Sequence, residues 1–538
     1  MSTSAQIKAP DFSRQMRDPR LLEAALALHD NRLSEAEPLL RAHLKENPFD
    51  VAAIRMLAEL AGRIGRLSDA EVLLRRAVEL APNFLTARSN LATVLYRQTK
   101  TSEALAELDA LLAIDPENAG NTNLKAAALG RIGEYDEAVA LYGHVLARYP
   151  DQPKIWMSYG HVLKTVGRQA DSIDAYRRAI SLLPSLGEVW WSLANLKTFS
   201  FDDDDIAAME GALKRPITAL DDRFHMHFAL GKALEDRRDA TRSFSHYEEG
   251  NRLRRSTLDY KASETTRQVD KSIKRFTRSF FAARSGQGCA APDPIFIIGM
   301  PRAGSTLIEQ ILSSHSLVEG TMELPDIPAI SARLSNRKGG LDAADASELR
   351  GMGEEYLERT RIQRKTDKPF FIDKMPNNWA HIGLINLILP NARIVDARRH
   401  PLGCCFSNFK QHFARGQSFS YGLNDMGRYY ADYVRYMAHV DAVLPGQVHR
   451  VFYERMVDDS ENEIRTLLDA LGLPFEEPCL RFYENDRAVR TASSEQVRRP
   501  IYREGTEQWQ MFEPWLDPLK SALGEVLTSY PEIPDFGY

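Results

Sequence analysis

Residues 294–313, PIFIIGMPRAGSTLIEQILS, decide the fold of the C-terminal half of the chain. A short apolar run leads into a turn with two glycines, and a run with helical apolar spacing follows at once. A strand, a glycine-containing turn and a helix in this order aim backbone N–H groups and a helix N-terminus at one point, where an anion binds. The stretch therefore predicts an α/β domain with an anion site at the end of its first strand.

The turn has the spacing of a nucleotide-binding P-loop but lacks its lysine. Gly299 and Gly304 match the glycines of GxxxxGK[ST], whereas Ser305 stands at the lysine position ahead of Thr306. A kinase or ATPase needs that lysine and a Mg²⁺ ion against the charge of the β- and γ-phosphates. A sulfuryl group carries less negative charge during transfer, so such a site can work without a metal. We therefore expect a P-loop-like domain that uses no metal.

Three later apolar runs extend the same pattern. They are FFIDKMP (370–376), RIVDARR (393–399) and HRVFYERM (449–456), and helical patterns separate them. Strands that alternate with helices favour a central parallel sheet.

The turn PRAGST (301–306) resembles the 5′-phosphosulfate loop of sulfotransferases that use PAPS, 3′-phosphoadenosine 5′-phosphosulfate. Its nearest resemblance is to the PRSGTT-type loop of the tyrosylprotein sulfotransferase branch. The resemblance implies a sulfotransferase fold with PAPS as co-substrate. It also implies that the 5′-phosphosulfate end is held by Arg302, Ala303, Gly304, Ser305 and Thr306.

A second segment resembles the 3′-phosphate motif of the same family, an arginine at a strand end with a serine eight residues on. Arg399 and Ser407 have this spacing, and Arg398 is one residue out of register. The arginine can make a bidentate contact with phosphate while the serine hydroxyl donates from a helix. We therefore expect Arg399 and Ser407 to bind the 3′-phosphate of PAPS.

A third segment, SSEQVRRP at 493–500, resembles the stretch that closes over the nucleotide in tyrosylprotein sulfotransferases. The resemblance implies that Ser494 and Arg498 contact PAPS. Gln508 departs from the pattern, because the animal enzymes have a lysine ahead of the tryptophan there. The missing charge could come from Arg498, Arg499 or Arg503.

Sulfuryl transfer to a hydroxyl needs a base for the acceptor proton. Glu323 follows the turn and its predicted helix, at the position where the resemblance implies the catalytic glutamate, and we assign it as the base. Glu319 competes, since the local sequence differs from the GEET of the family. His315 competes as well, because other sulfotransferases use a histidine base.

The leaving phosphate oxygen needs a cation. Lys374 directly follows a predicted strand and resembles the lysine of the family's KDP motif, near the bridging oxygen of PAPS. We assign Lys374 and Arg302 to this role. Tyr453 matches a YE-type motif that ends a core strand and is a further candidate for contact with PAPS.

The N-terminal half is a repeat array. Small residues occupy two fixed positions ahead of each of a series of prolines, which lets two helices of a unit approach closely. The pattern resembles the tetratricopeptide repeat (TPR), and it implies an all-α superhelix that binds a peptide, a partner protein or a second copy of the chain. The prolines recur at one constant interval, without insertions or deletions: Pro48, Pro82, Pro116, Pro150 and Pro184.

Length and composition bound the remaining possibilities. The chain has 538 residues, 43% hydrophobic and 27% charged, with a net charge of −5, which gives no support for nucleic-acid binding. No apolar run approaches the ~20 residues of a membrane span, and the N-terminus has no apolar signal region. Four cysteines without CxxC spacing fit a reducing cytoplasm. We expect a TPR array at 1–218, a helical linking segment at 219–290 and a sulfotransferase domain at 291–538.

These features predict transfer of the sulfuryl group of PAPS to an acceptor hydroxyl, on protein tyrosine, a sugar, a lipid or a phenol. Two alternatives stay open. A P-loop nucleotide kinase would bind ATP with Mg²⁺. A catalytically inert TPR adaptor would bind partners without turnover.

Overall fold

The computed structural model divides the chain into two compact units, Met1–Val162 and Leu163–Tyr538. The predicted domain borders at 218 and 290 both fall inside the second unit. Residues 1–17 of the predicted array lie outside the part of the chain that the structure describes. That part comprises 18–197, 199–216, 218–413, 416–489, 491, 494, 496–501, 503 and 506–538.

Helix pairs fill the first unit, and each pair is one repeat. The second helix of every pair ends two residues before a proline, which lacks the N–H that a helix interior requires. The helices are α1 (Pro19–His29), α2 (Leu33–Glu46), α3 (Val51–Arg63), α4 (Leu67–Leu80), α5 (Leu85–Arg97), α6 (Thr101–Ile114), α7 (Ala119–Ile132), α8 (Tyr135–Arg148) and α9 (Pro153–Thr165), which crosses the border between the units.

The small residues of the repeat lie where the two helices of a pair meet. Each is fully buried, so a larger side chain would push the helices apart. They are Ala24, Ala58, Ala92 and Ala126 on the first helices and Ala36, Ala70, Ala104 and Ala138 on the second.

Successive pairs are also joined by one repeated hydrogen bond. An arginine near the end of the first helix donates to a main-chain carbonyl of the preceding pair's first helix. The donors and acceptors are Arg63 to Leu28, Arg97 to Gly62 and Arg131 to Tyr96. Contacts of the first unit thus repeat with the period of its sequence.

The second unit begins with further helices that precede the sheet. The segment predicted as helical, 219–290, contains helices as expected. These helices are α10 (Gln169–Leu182), α11 (Gly187–Ala194), α12 (Asp203–Leu213), α13 (Leu220–Asp236), α14 (Ala240–Arg255), α15 (Ala262–Arg275) and α16 (Arg278–Ala282).

The acidic run at 202–205 starts a helix and is not the solvated loop that its charge suggests. The Asp202 side chain accepts a hydrogen bond from the backbone N–H of Asp205 and caps α12. Asp205 is buried and pairs with Arg177 of α10, with 2.7 Å between Nη2 and Oδ2. Acidic residues at a helix N-terminus are stabilised by the helix dipole.

The sheet contains five parallel strands in the order β2-β3-β1-β4-β5. The four predicted strands are present, whereas β2 was missed because it has only three residues. Every residue of central β1 is buried, as expected for a parallel strand with helices on both faces. The strands are β1 (Pro294–Gly299), β2 (Val318–Gly320), β3 (Phe370–Lys374), β4 (Arg393–Arg398) and β5 (Val448–Phe452).

The helices between and after the strands complete an α/β domain, as predicted. Of the helices described, none is both long and apolar enough to cross a membrane. They are α17 (Ser305–Ser313), α18 (Asp326–Ser335), α19 (Ala346–Thr360), α20 (Ile382–Ile388), α21 (Pro401–Phe409), α22 (Leu423–Val443), α23 (Tyr453–Asp458), α24 (Ser460–Ala470), α25 (Asp517–Leu523) and α26 (Glu525–Thr528).

Candidate active site

The turn between β1 and α17 depends on its two glycines. A Cβ at Gly299 (φ +128°) would lie 2.4 Å from the carbonyl oxygen of Ala397, and one at Gly304 (φ +100°) would lie 2.9 Å from Cδ2 of Tyr453. Arg302 also has a positive φ of 65°, which costs on the order of 1–2 kcal/mol in a residue with a side chain. Backbone strain of this kind is concentrated at functional sites.

Helix α21 and the end of β4 hold this turn in place. The carbonyl oxygen of Pro301 accepts a hydrogen bond from Asn408 Nδ2 at 2.7 Å and one from Cys404 Sγ at 3.4 Å. The carbonyl of Arg302 accepts from Arg399 Nη1 at 3.1 Å. The strained turn is therefore fixed by a second segment that is distant in sequence.

Seven of the residues predicted to bind PAPS line one cleft. Its non-atom space is about 750 Å³ when the open mouth is counted. Arg302 Nε lies 3.2 Å from Ser407 Oγ, so the turn and the predicted 3′-phosphate residues are in direct contact. Ala303, also predicted, is buried and does not line the cleft. The seven are Arg302, Gly304, Ser305, Thr306, Arg399, Ser407 and Tyr453.

Described residues of the C-terminal segment, 496–501 among them, contribute to the wall of this cleft. Gln496 Oε1 accepts from Arg302 Nη2 at 3.4 Å, and Thr491 Oγ1 accepts from Thr306 Oγ1 at 3.3 Å. Ser494 is 1% exposed, and its hydroxyl has no hydrogen-bond partner among the described residues. Ser493, also in the predicted donor segment, lies outside the described residues.

Arg498, predicted to contact the donor, is directed elsewhere. Its Nη2 donates to the carbonyl of Thr165 at 3.4 Å and to that of Arg487 at 3.3 Å. A Cβ on Gly167 would lie 2.9 Å from its guanidinium carbon, so the turn after α9 fits closely around this side chain. The neighbouring Arg499 lines the cleft instead. A one-residue difference in register separates the two arginines.

The predicted base and the predicted lysine form an ion pair. Lys374 Nζ lies 2.7 Å from Glu323 Oε1, and the side chains are 2% and 48% exposed, respectively. Lys374 extends from the carboxyl end of β3, next to β1 and at the sheet edge from which the turn emerges. In α/β folds this edge is where ligands bind.

Two residues that the sequence interpretation missed lie behind this pair. Glu309 of α17 is 2% exposed, with one oxygen 4.0 Å from Lys374 Nζ and the other 2.9 Å from Arg487 Nη2. Arg487 Nε also donates to Gln310 Oε1 at 2.9 Å. The cations and carboxylates alternate, so no buried charge in this set is left uncompensated. The polar Glu-Gln pair inside the apolar run LIEQIL was the available signal.

The competing bases are both engaged in structural contacts. His315 is fully buried, with Nε2 2.8 Å from the carbonyl oxygen of Pro474 and Nδ1 accepting from the Leu317 N–H at 3.1 Å. Glu319 is 7% exposed, and its Oε1 accepts from the backbone N–H groups of Lys365 and Thr366. Of the three candidates, Glu323 has the most exposed side chain, at 48%.

Strand β4 ends in two adjacent arginines, and the first of them faces the core. Arg398 is buried and paired with Asp396 at 2.9 Å, while Arg399 lines the cleft. Burial alone would raise the pKa of Asp396, but the charges of Arg398 and Arg450 hold it below the usual value. Successive strand residues point to opposite faces, which explains why Arg398 is out of register with the cleft.

The same alternation applies to β3. Lys374 is directed to Glu323, whereas Asp373 is fully buried and accepts a hydrogen bond from the Tyr356 hydroxyl at 2.9 Å. Burial raises the pKa of Asp373 well above the usual value. Within the described residues, no group of three or more histidine, cysteine or acidic side chains is arranged to hold a metal.

Comparison with known proteins finds matches in both halves of the chain. Residues 294–477 match the sulfotransferase family. Residues 64–128 and 123–186 each match the tetratricopeptide repeat. The chain therefore carries a sulfotransferase-family domain and TPR repeats; neither match distinguishes the tyrosylprotein branch.

A relative from Aquifex aeolicus (strain VF5), named only as an uncharacterized protein, is 32% identical over 344 residues. The match covers 61% of this chain and 45% of the relative, so the chain spans less than half of that protein's length.

Two solved structures show partial likeness. The sulfotransferase domain of the Synechococcus PCC 7002 olefin synthase is 20% identical with a TM-score of 0.33, covering 41% of this chain and 88% of that domain. A fragment of MamA from Desulfovibrio magneticus RS-1, which runs from residue 41 to the end, is 16% identical with a TM-score of 0.29, covering 33% of this chain and 98% of that fragment.

Proposed function

We propose that the protein transfers the sulfuryl group of PAPS to an acceptor hydroxyl and releases 3′,5′-ADP (PAP) with a sulfate ester. The observation that carries the proposal is the single cleft formed by Arg302, Thr306, Arg399 and Ser407, with the Lys374–Glu323 pair at the same sheet edge. A donor with two separate anionic groups needs cations and hydroxyls from two segments. This cleft has both.

The residues present fit such a donor. Gly304 allows a ligand to approach the backbone at the N-terminus of α17, where the helix dipole favours an anion. Arg302 and Arg399 supply positive charge on the two sides, and the nearly buried Ser494 hydroxyl can donate a hydrogen bond to an oxyanion. We assign the turn to the 5′-phosphosulfate and Arg399 with Ser407 to the 3′-phosphate.

The reaction is an in-line displacement at sulfur. The acceptor oxygen forms a new bond to sulfur, and the bond from sulfur to the bridging phosphate oxygen breaks. The hydroxyl proton passes to the Glu323 carboxylate, and the electron pair stays on the departing phosphate oxygen. Lys374 and Arg302 stabilise the charge that develops there.

The contact between Glu323 and Lys374 suits these roles. Its length of 2.7 Å orients the carboxylate, while the 48% exposure of Glu323 leaves it accessible to an acceptor. Glu309, 4.0 Å from the ammonium, keeps Lys374 compensated when Glu323 turns to the acceptor hydroxyl. We infer that Lys374 keeps its positive charge through the reaction, while Glu323 becomes neutral when it takes up the acceptor proton.

We propose that the repeats bind a peptide or protein, or a second copy of the chain. The support is the TPR matches at 64–128 and 123–186, since such repeats present extended concave surfaces. A bound peptide would make protein tyrosine one candidate acceptor, beside sugars, lipids and phenols.

The test is transfer from ³⁵S-labelled PAPS to a panel of tyrosine peptides, sugars, phenols and hydroxylated lipids, without added metal. We expect label on at least one acceptor, with one PAP released per ester formed, and loss of both in Lys374→Met. Phosphorylation of an acceptor from ATP with Mg²⁺, without any transfer from PAPS, would instead support the nucleotide kinase.

A further inference from the structure

Arg487 lies beyond the stretch 294–477 that matches the sulfotransferase family. Its side chain is 15% exposed and is directed toward α17, the helix that follows the first turn. Nη2 lies 2.9 Å from Glu309 Oε1, and Nε donates to Gln310 Oε1 at 2.9 Å. Two consecutive residues of α17 therefore bind one guanidinium group behind the candidate active site.

The backbone around Arg487 is held by hydrogen bonds as well. Its N–H donates to Asn485 Oδ1 at 3.0 Å, and its carbonyl oxygen accepts from Arg498 Nη2 at 3.3 Å. Two residues further on, the N–H of Val489 donates to the carbonyl of Thr165, the last residue of α9, at 3.1 Å. These bonds fix the point from which the guanidinium extends.

Strand β2 ends in a glycine where this guanidinium packs against it. A Cβ at Gly320 would lie 2.8 Å from Arg487 Nη1 and 2.2 Å from Ser313 Oγ, distances that a real Cβ does not tolerate. The same nitrogen of Arg487 donates to the carbonyl oxygen of Thr321 at 3.5 Å. The glycine thus leaves the space that the guanidinium occupies.

The contact with Arg487 determines how closely Glu309 approaches the lysine of the site. The Glu309 side chain is 2% exposed, with one oxygen 2.9 Å from Arg487 Nη2 and the other 4.0 Å from Lys374 Nζ. The same ammonium lies 2.7 Å from Glu323 Oε1. A buried carboxylate with a single cation beside it would move into direct contact with that cation, because an unpaired buried charge is costly. Arg487 is the second cation, and it keeps Glu309 out of direct contact with Lys374.

We propose that Arg487 is a positioning residue for sulfuryl transfer. By binding Glu309 it keeps the Lys374 ammonium directed to the proposed base and to the leaving oxygen of the donor. Arg487 lies outside the set of described residues that line the cleft, so it acts through Glu309 and not on the donor. The proposal rests on the proposed function. Without Arg487, Glu309 would draw the ammonium away from the reacting atoms.

The test is a double-variant cycle in the full chain, with Arg487→Met, Glu309→Gln and the two combined. Methionine removes the charge of arginine and keeps an unbranched apolar stem, while glutamine keeps the shape of glutamate. Arg487→Lys is the conservative variant. Arg481→Met is the matched control, because the Arg481 side chain is 50% exposed and pairs with Glu484 at the surface. Steady-state kinetics with an identified acceptor measures kcat, calorimetry measures PAP affinity, and thermal unfolding measures stability.

We expect Arg487→Met to lower kcat roughly 10- to 100-fold with PAP affinity nearly unchanged, because the ammonium is displaced from the reacting atoms. Arg487→Lys should retain most of kcat, and Arg481→Met all of it. Glu309→Gln alone should lower kcat less than Arg487→Met does. The combined variant should match Glu309→Gln alone, since no carboxylate is left there to compete for the lysine. A merely structural role of Arg487 would lower kcat and the melting temperature alike in both backgrounds.

A crystal structure of Arg487→Met gives a readout that does not depend on turnover. The separation of Glu309 and Lys374 Nζ should shorten from 4.0 Å to that of a charge-assisted hydrogen bond, about 2.8 Å. The contact between Lys374 and Glu323 should lengthen at the same time. Should Arg487→Met not fold, Arg487→Gln makes the same comparison of charge.

Wild-type kcat in Arg487→Met would overturn the inference and leave the proposed function intact. So would losses of kcat that add in the combined variant, or an unchanged separation of Glu309 and Lys374 in the crystal. Absence of both PAP binding and transfer from PAPS in the wild-type protein would instead refute the proposed function, and the inference with it.

Discussion

The repeat helices of the first unit and the cleft of the second are held together in different ways. In the first unit, equivalent residues make equivalent contacts from one pair to the next, as Arg97 and Arg63 do with carbonyls 35 residues earlier. In the cleft, Arg302 contacts Ser407 and Gln496, which lie 105 and 194 residues away. In a repeat array each pair of helices contributes similarly to stability. In a cleft formed by segments distant in sequence, charge and backbone strain are concentrated in a few residues.

The largest expected effect is a loss of kcat on removal of one carboxylate, that of Glu323. Glu323→Gln should lower kcat about 10³-fold, within the range for loss of a general base, with PAP affinity nearly unchanged. Steady-state kinetics with an identified acceptor, together with calorimetry, measures both. Glu319→Gln is the matched control, since Glu319 accepts backbone hydrogen bonds and should affect stability but not kcat. Equal loss of kcat in both variants would contradict the assignment.

Acid should destabilise the second unit at a higher pH than the first. Burial lowers the pKa of His225 and His381 to about 4 and that of His412 to about 2, and all three lie in the second unit. In the unfolded chain these histidines take up a proton near the ordinary pKa of 6.5, whereas in the folded chain they do so only at lower pH. The stability of the folded state that is present above pH 6.5 is therefore lost as the pH falls toward 4. Each such histidine lowers the free energy of unfolding by on the order of 3 kcal/mol at pH 4.

In the first unit the loss begins at lower pH. Asp18 has its pKa lowered to about 2 by its hydrogen bonds with Arg20, so its contribution is lost only between about pH 4 and pH 2. Hydrogen exchange at pH 5 should show loss of protection in the second unit first. His412→Phe should shift that loss to lower pH, while His144→Phe, exposed in the first unit, should not. Simultaneous loss in both units would contradict the comparison.

Removal of a cleft arginine should affect binding more than chemistry. Arg399→Ala should weaken PAP binding roughly 10- to 100-fold through loss of a charge-assisted phosphate contact, with a smaller effect on kcat. Calorimetry with PAP and with adenosine 5′-phosphosulfate checks this, because the second nucleotide lacks the 3′-phosphate and should bind both proteins alike. Arg361→Ala, at a side chain 70% exposed, is the control. Equal weakening of both nucleotides would move Arg399 away from the 3′-phosphate.

The smallest effect concerns Arg498. Since its guanidinium binds the carbonyls of Thr165 and Arg487, Arg498→Met should weaken PAP binding only about threefold, through a looser C-terminal segment. Hydrogen exchange of residues 485–489 should rise in the variant. A loss as large as that of Arg399→Ala would make Arg498 a direct donor contact.

The repeat array was predictable because its signal is local and periodic. Each proline and each alanine specifies a contact within its own pair, so Ala92 is buried for the same reason as Ala58. The turn after β1 was predictable for a related reason, since Gly299 and Gly304 impose their backbone geometry over a few residues.

Other features of the site depend on long-range packing and could not be predicted. The direction of Arg498 is set in part by the carbonyl of Thr165, which lies 333 residues earlier in the chain. Glu309 lies in a run with helical apolar spacing, and its role depends on Lys374 and Arg487, which the fold brings beside it.

A metal-independent cleft with two anion sites for PAPS is central to all of these expectations. Calorimetric titration of the full chain with PAP, with adenosine 5′-phosphosulfate and with ATP plus Mg²⁺ tests it most directly. We predict tight binding of PAP without metal and much weaker binding of the nucleotide without a 3′-phosphate. Binding of ATP with Mg²⁺ and no heat with PAP would contradict it.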